Sequence, residues 1–242
     1  MNQWGHKNVE SSSQRFALQR RHCIALALAL GIAGLSGVAT KAVHAKPKET
    51  PKHSSASHGP VLVLGDSLSA EYGLTRGKGW VHLLQQRMES EHIARKVVNA
   101  SISGETTAGG KARLAALLNQ HKPSIVILEL GGNDALRGLA LESTQSNLLA
   151  MVKAAKEATA QVLLVGMQVP PNYGAAYTEQ FADMFKKIAE QQKLPLVPFL
   201  LTGIGDAEDA AQWFQSDRIH PNAKAQPQML GNVWPQLKPM LK

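Results

Sequence analysis

The sequence predicts a three-layer α/β/α sandwich built on a five-stranded parallel sheet, and three observations support this. Five short apolar runs, at 61–64, 96–100, 125–130, 161–167 and 196–199, alternate with longer segments of helical period. The runs are apolar without alternation, as in strands covered on both faces. Right-handed crossovers between parallel strands then place helices on both sides of the sheet, and a flavodoxin-like strand order of 2-1-3-4-5 is expected.

The intervening segments carry apolar stripes at helical spacing. Trp80, Leu83, Leu84 and Met88 form one, Leu114, Leu117 and Leu118 a second, and Leu148, Leu149 and Val152 a third. Phe181, Met184, Phe185, Ile188 and Ala189 form the cleanest of them. All four read as faces that cover the sheet. After Pro221 the stripe Met229, Leu230, Val233, Trp234, Leu237 and Leu241 is interrupted by Pro227, Pro235 and Pro239, which predicts a broken helix.

The first 60 residues do not belong to this pattern. Arg20 and Arg21 precede an apolar run from Ile24 to Val38, and Val43-His44-Ala45 offers residues suited to a signal peptidase. The run breaks at Thr40-Lys41, short of the roughly 20 apolar residues that span a bilayer. Residues 1–45 therefore read as a cleaved secretory signal rather than a membrane anchor, and the mature protein is expected to be periplasmic or secreted. Residues 46–60, rich in Pro, Ser and Lys, read as a flexible tether, and residues 61–242 as one globular domain. Across the whole chain, 44% hydrophobic and 18% charged residues exclude a disordered or fibrous protein.

Two inferences depend on that division. The single cysteine, Cys23, lies in the signal segment, so the mature domain has no disulfide and is held together by packing. Residues 1–45 carry five Lys or Arg against Glu10, and 46–60 carry three Lys against Glu49, which leaves the domain only +2 of the formal +8. No basic stripe remains for nucleic acid. His82, His92 and His121 lack ligand spacing, so no metal or other cofactor is expected.

The chemistry-bearing residues sit just past the predicted strands. Val61 to Leu64 runs into Gly65-Asp66-Ser67, which puts a hydroxyl at the sheet edge where open α/β folds bind ligands. A serine hydroxyl needs a base, a group to orient that base, and donors for an oxyanion. Near the C-terminus, Asp217 stands three residues before His220; by itself this spacing reads first as a polar surface loop. Gly104 follows the second run and Asn133 the third, and each stretch taken singly reads equally as a turn. What gives them weight is that all four converge on one sheet edge.

Gly65-Asp66-Ser67-Leu68-Ser69, Ser103-Gly104-Glu105-Thr106, Gly131-Gly132-Asn133-Asp134 and Asp217-Arg218-Ile219-His220-Pro221 resemble, in order, the four blocks of the SGNH hydrolases, also called GDSL esterases. Their spacing most resembles the periplasmic thioesterase I, arylesterase and lysophospholipase L1 branch. The resemblance implies Ser67 as nucleophile, His220 as general base and Asp217 as its orienting carboxylate. It implies an oxyanion hole from the backbone N–H groups of Ser67 and Gly104 and the Asn133 side chain, with Asp66 bracing the nucleophile turn. It further implies that Ala135, Leu136, Arg137, Gly138 and Leu139 form a wall of the substrate groove. The expected reaction is hydrolysis of an acyl ester or thioester, a small-molecule substrate, through an acyl-enzyme. A carbohydrate O-acetylesterase of the same family is the alternative activity, and an envelope-binding module without catalysis is the alternative class. Oligomeric state is not legible in the sequence.

Overall fold

The computed structural model describes residues 59–242. The expected signal segment and most of the tether lie outside the described residues. The last two tether positions already belong to the fold: the Ser124 hydroxyl donates to the Gly59 carbonyl at 2.6 Å and the Ser124 N–H to the Pro60 carbonyl at 3.1 Å.

The sheet contains β1 (Val61–Gly65), β2 (Val97–Asn99), β3 (Ile125–Glu129), β4 (Gln161–Val165) and β5 (Leu196–Val197), all parallel, in the order β2-β1-β3-β4-β5. This is the order that the sequence predicts. β1 and β3 are buried along their whole length, as their unbroken apolar runs require. β2 is shorter than expected and only half-buried, as suits a strand at the sheet edge. β5 shrinks to two residues because Pro198 has no N–H to continue the ladder. At its end, Gly166 lies so close to β5 that a Cβ there would meet the Pro198 carbonyl oxygen at 2.4 Å.

The principal helices are α1 (Trp80–Ser90), α2 (Thr107–His121), α3 (Gly132–Leu136), α4 (Leu141–Glu157), α5 (Ala175–Gln192) and α6 (Gln226–Leu237). α1 packs on α6, while α2 packs on α4 and α4 on α5, which makes the two outer layers. The stripes behave as read: Trp80, Leu84 and Met88 are fully buried, and Phe181 meets Phe185 edge-on at 5.3 Å. α6 is less broken than its prolines suggest. Pro227 occupies the first turn, where no N–H is needed, and Pro235 is carried inside the helix. The helix gives way to a 3-10 turn, Lys238–Leu241, that contains Pro239. Among the described residues no helix is long and apolar enough to cross a membrane.

Candidate active site

Every strand of this sheet points its carboxyl end at one edge, and the loops there carry the polar residues singled out above. β1 ends in a tight turn where Ala70 N–H donates to the Asp66 carbonyl at 2.9 Å and Tyr72 N–H to the Ser67 carbonyl at 3.3 Å. The Asp66 carboxylate accepts the Leu68 N–H at 3.0 Å, an Asx turn that closes around Ser67. The Ser67 hydroxyl is left facing outward.

Opposite it stands the loop before α6. Gln215 N–H donates to the His220 carbonyl at 2.8 Å, and Phe214 bridges Pro221, so the segment between them is a small closed turn. Arg218 takes a left-handed φ of 58° within it. This turn brings His220 Nε2 to 2.9 Å from Ser67 Oγ and His220 Nδ1 to 2.7 Å from Asp217 Oδ2. The other Asp217 oxygen accepts the backbone N–H groups of Ile219 and His220, both at 3.0 Å. Those two amides, with the imidazole, hold the Asp217 carboxyl down at about 2, well below its ordinary range. An ionised, fixed carboxylate on Nδ1 directs Nε2 at the serine, as a hydroxyl-activating relay requires.

The third block forms α3, whose first turn follows Gly131 at a φ of 125°. Asn133 Nδ2 donates to Asp66 Oδ2 at 3.1 Å, so the amide is tied to the same turn that presents Ser67. The second block contains Gly104, with a φ of 77° that favours glycine; a Cβ would find space, with only an Arg137 nitrogen at 3.6 Å, so conformation rather than crowding selects the residue. Arg137 donates to the Gly104 carbonyl at 2.8 Å, which links the second block to the segment after the third.

The expected groove wall divides. Leu136, Arg137, Gly138 and Leu139 are exposed, but Ala135 is buried in the core and presents nothing to solvent, because its position in α3 faces inward. Among the described residues, the large exposed hydrophobic side chains are Tyr72, Ile102, Leu136, Leu139, Tyr173 and Ile219. They follow β1, β2, β3, β4 and β5, so each strand's carboxyl-end connection contributes at least one.

Several residues that matter here lie outside the motifs, and one, Asp134, lies inside the third block with no role read from the sequence. The Tyr72 ring lies 4.3 Å from the His220 ring, and Gln215 Nε2 donates to the Tyr72 carbonyl at 2.8 Å, joining the histidine loop to the serine loop. Asp134 is buried on the inner face of α3, where it accepts the Thr107 N–H at 2.8 Å, the Thr107 hydroxyl and the Thr144 hydroxyl. Glu129 is buried at the end of β3 and accepts from the Ser69 hydroxyl at 2.7 Å. The one signal for Glu129 is its charge inside an otherwise apolar run. Among the described residues no three His, Cys, Asp or Glu side chains gather in a way that could hold a metal ion.

Burial pushes the Asp66 carboxyl up to about 6, against the opposing pull of the Leu68 N–H, His220 and Asn133. The native state thus holds this proton more tightly than the unfolded chain does. The stability that follows is present below the ordinary aspartate range and is lost as pH rises through about 6. Asp66→Asn removes that loss, so its melting temperature relative to wild type is expected to rise between about pH 4 and pH 6 and to level off above that. Two pK units correspond to roughly 3 kcal/mol, which is the ceiling of the effect. Parallel melting curves across that range would contradict the assignment.

The chain matches the model of the GDSL-like Lipase/Acylhydrolase family over residues 63–226. It is 52% identical over 181 residues to the Esterase TesA of Pseudomonas aeruginosa, covering 75% of this chain and 89% of that one. It is 41% identical over 187 residues to the Thioesterase 1/protease 1/lysophospholipase L1 of Escherichia coli, covering 77% and 87%. A crystal structure of the psychrotrophic esterase EstA from Pseudoalteromonas sp., inhibited by monoethylphosphonate, superposes with a TM-score of 0.71 at 41% identity, covering 76% of this chain and 98% of that one.

Proposed function

Since the chain belongs to the GDSL-like lipase/acylhydrolase family and is an esterase, we propose that it hydrolyses acyl esters or thioesters through an acyl-enzyme on Ser67. The observation that carries this reading is the unbroken relay from Asp217 through His220 to Ser67 Oγ, at 2.7 and 2.9 Å. His220 Nε2 takes the hydroxyl proton as Oγ attacks the carbonyl carbon, and Asp217 stabilises the imidazolium that results. The Ser67 and Gly104 N–H groups and the Asn133 amide receive the oxyanion. As the tetrahedral centre collapses, the imidazolium returns the proton to the departing alcohol or thiol. Water then repeats the sequence on the acyl-enzyme and releases the acid.

The apolar rim favours substrates with an acyl tail over acetylated carbohydrate. Leu136 and Leu139 rise on one side of Ser67's edge of the sheet, with Ile102, Ile219 and Tyr72 from other loops of that edge. Turnover of p-nitrophenyl esters is therefore expected to increase from acetate toward medium or long chains. A maximum at acetate would favour the carbohydrate O-acetylesterase instead. The phosphonate inhibition of the Pseudoalteromonas esterase supports the same class of test here. A folded protein that reacts with no fluorophosphonate would support an envelope-binding module.

Because the base must be neutral to accept a proton, kcat/KM is expected to fall on acidification below neutral pH. A rate that stays flat from about pH 8 down to pH 5 would remove His220 from that role. We further propose that residues 1–45 direct export and that 46–58, the expected tether less the two residues held by Ser124, link the domain outside the cytoplasm. Protein recovered from its host is then expected to begin just after Ala45; a mature chain that begins upstream would contradict cleavage there.

A further inference from the structure

Asp66 lies in the nucleophile turn and Glu129 beneath it, joined by the Asp66 N–H, and the relay does not use either carboxyl. Gly65 pairs with Glu129 in the β1–β3 register. A Cβ at Gly65 would stand 2.5 Å from Glu129 Oε2 and 2.8 Å from Ser69 Oγ, so glycine opens the space that this carboxyl occupies. Oε2 accepts both the Ser69 hydroxyl, at 2.7 Å, and the Asp66 N–H, at 3.3 Å. Oε1 is buried without a protein partner. No Lys or Arg among the described residues pairs with either carboxylate. The charged groups acting on Asp66 are His220 from the loop before α6 and Asp134 from α3, and Asp66 in turn acts on Glu129 from β3.

A carboxyl group fully enclosed with no cation keeps its proton, and a neighbouring carboxylate holds it there more firmly. Glu129 therefore sits on the neutral side, pushed well above its ordinary range by burial and then by Asp66. Asp66 is the member of the pair suited to be the anion. Its two oxygens each accept a donor, the Leu68 N–H on one and Asn133 Nδ2 on the other. Only the ionised form offers acceptors on both sides. Protonation at Oδ2 would set an O–H against the Asn133 NH2 and release that amide to turn.

We infer that Glu129 and Asp66 form a buried acid pair, Glu129 neutral and Asp66 ionised, that holds Asn133 in its donor orientation, so that acidification disables the site through Asp66 as well as through His220. The inference rests on the reading of Asn133 as an oxyanion donor. Glu129 and Asp66 are positioning residues: they shape the turn and the amide without touching the reacting atoms. Acid inactivation is then a two-proton event, one proton on His220 and one on Asp66.

The test is the side-chain amide of Asn133, followed by nuclear magnetic resonance against pH in His220→Ala, where no relay histidine remains. Its signal is expected to titrate with a midpoint at or above about 6, and to stop titrating when Asp66→Asn is added. An amide unmoved between about pH 5 and pH 8 overturns the inference. This readout needs no turnover, so its failure is distinct from failure of the esterase reading, which shows as absent phosphonate labelling. In the wild-type enzyme, log kcat/KM is expected to approach a slope of two at low pH, and in Asp66→Asn a slope of one; a slope of one in both contradicts the pair. Glu129→Leu strips the acceptor from Ser69 and from the Asp66 N–H, and is expected to lower kcat by about tenfold or more with KM unchanged. Glu129→Gln restores a neutral acceptor, and is expected to recover part of that loss and to keep the wild-type midpoint. A midpoint moved down in Glu129→Gln would mean that Glu129 carries charge, and would overturn the assignment.

Discussion

Replacing Ser67 by alanine is expected to lower ester turnover by at least about 10,000-fold while leaving the fold intact. The hydroxyl is the only atom removed, and its partner is His220 Nε2 at 2.9 Å. The turn itself is closed by the Asp66 carboxylate and by backbone groups, none of which is the serine side chain. The other serine of the turn cannot take over: Ser69 is buried, with its hydroxyl committed to Glu129. Purified Ser67→Ala, compared with wild type on p-nitrophenyl butyrate and by thermal melting, checks both halves. Turnover above about 1% of wild type in a folded variant would move the nucleophile elsewhere.

The second large effect is expected at Asn133. On the proposed reading of Asn133 as an oxyanion donor, Asn133→Ala is expected to cost about 3 to 4 kcal/mol of transition-state stabilisation, a loss of roughly 100- to 1,000-fold in kcat. KM should change little, because the oxyanion exists only after attack begins. The truncation also withdraws one of the two donors that Asp66 accepts, leaving the Leu68 N–H as the other. With no amide left for Asp66 to hold, the variant's log kcat/KM should approach a slope of one at low pH, as in Asp66→Asn. A variant with near-normal kcat would exclude the Asn133 amide from the oxyanion site.

The motifs and the periodicity made the scaffold and the meeting of Asp217, His220 and Ser67 legible, for physical reasons. β1 and β3 are covered on both faces, so their apolar runs carry no alternation to confuse, and each ends in a glycine-containing turn. Ser67, Gly104, Asn133, Asp217 and His220 each follow such a run or sit in a turn whose residue types are restricted. The misjudged boundaries have local causes: Pro198 ends β5 two residues early, and Pro235 is tolerated inside α6. Ala135 lies within the motif's continuation but faces the core, because a five-residue helix turns it away from its exposed neighbours.

The supporting residues were harder to see, because their roles are set by distant partners. Gln215 acts on Tyr72 across 143 positions and Glu129 on Ser69 across 60, and no local pattern encodes either pairing. Glu129 alone left a trace, as an acid inside a buried strand. Such an acid is costly unless something uses it, and the Ser69 and Asp66 contacts supply the use.

One measurement tests the identity of the nucleophile most directly: treat the purified mature protein with a fluorophosphonate, digest it, and locate the adduct by mass spectrometry. A single stoichiometric adduct is expected on the peptide that contains Ser67, absent in Ser67→Ala. An adduct on any other residue, or none on folded wild-type protein, would contradict a Ser67 acyl-enzyme.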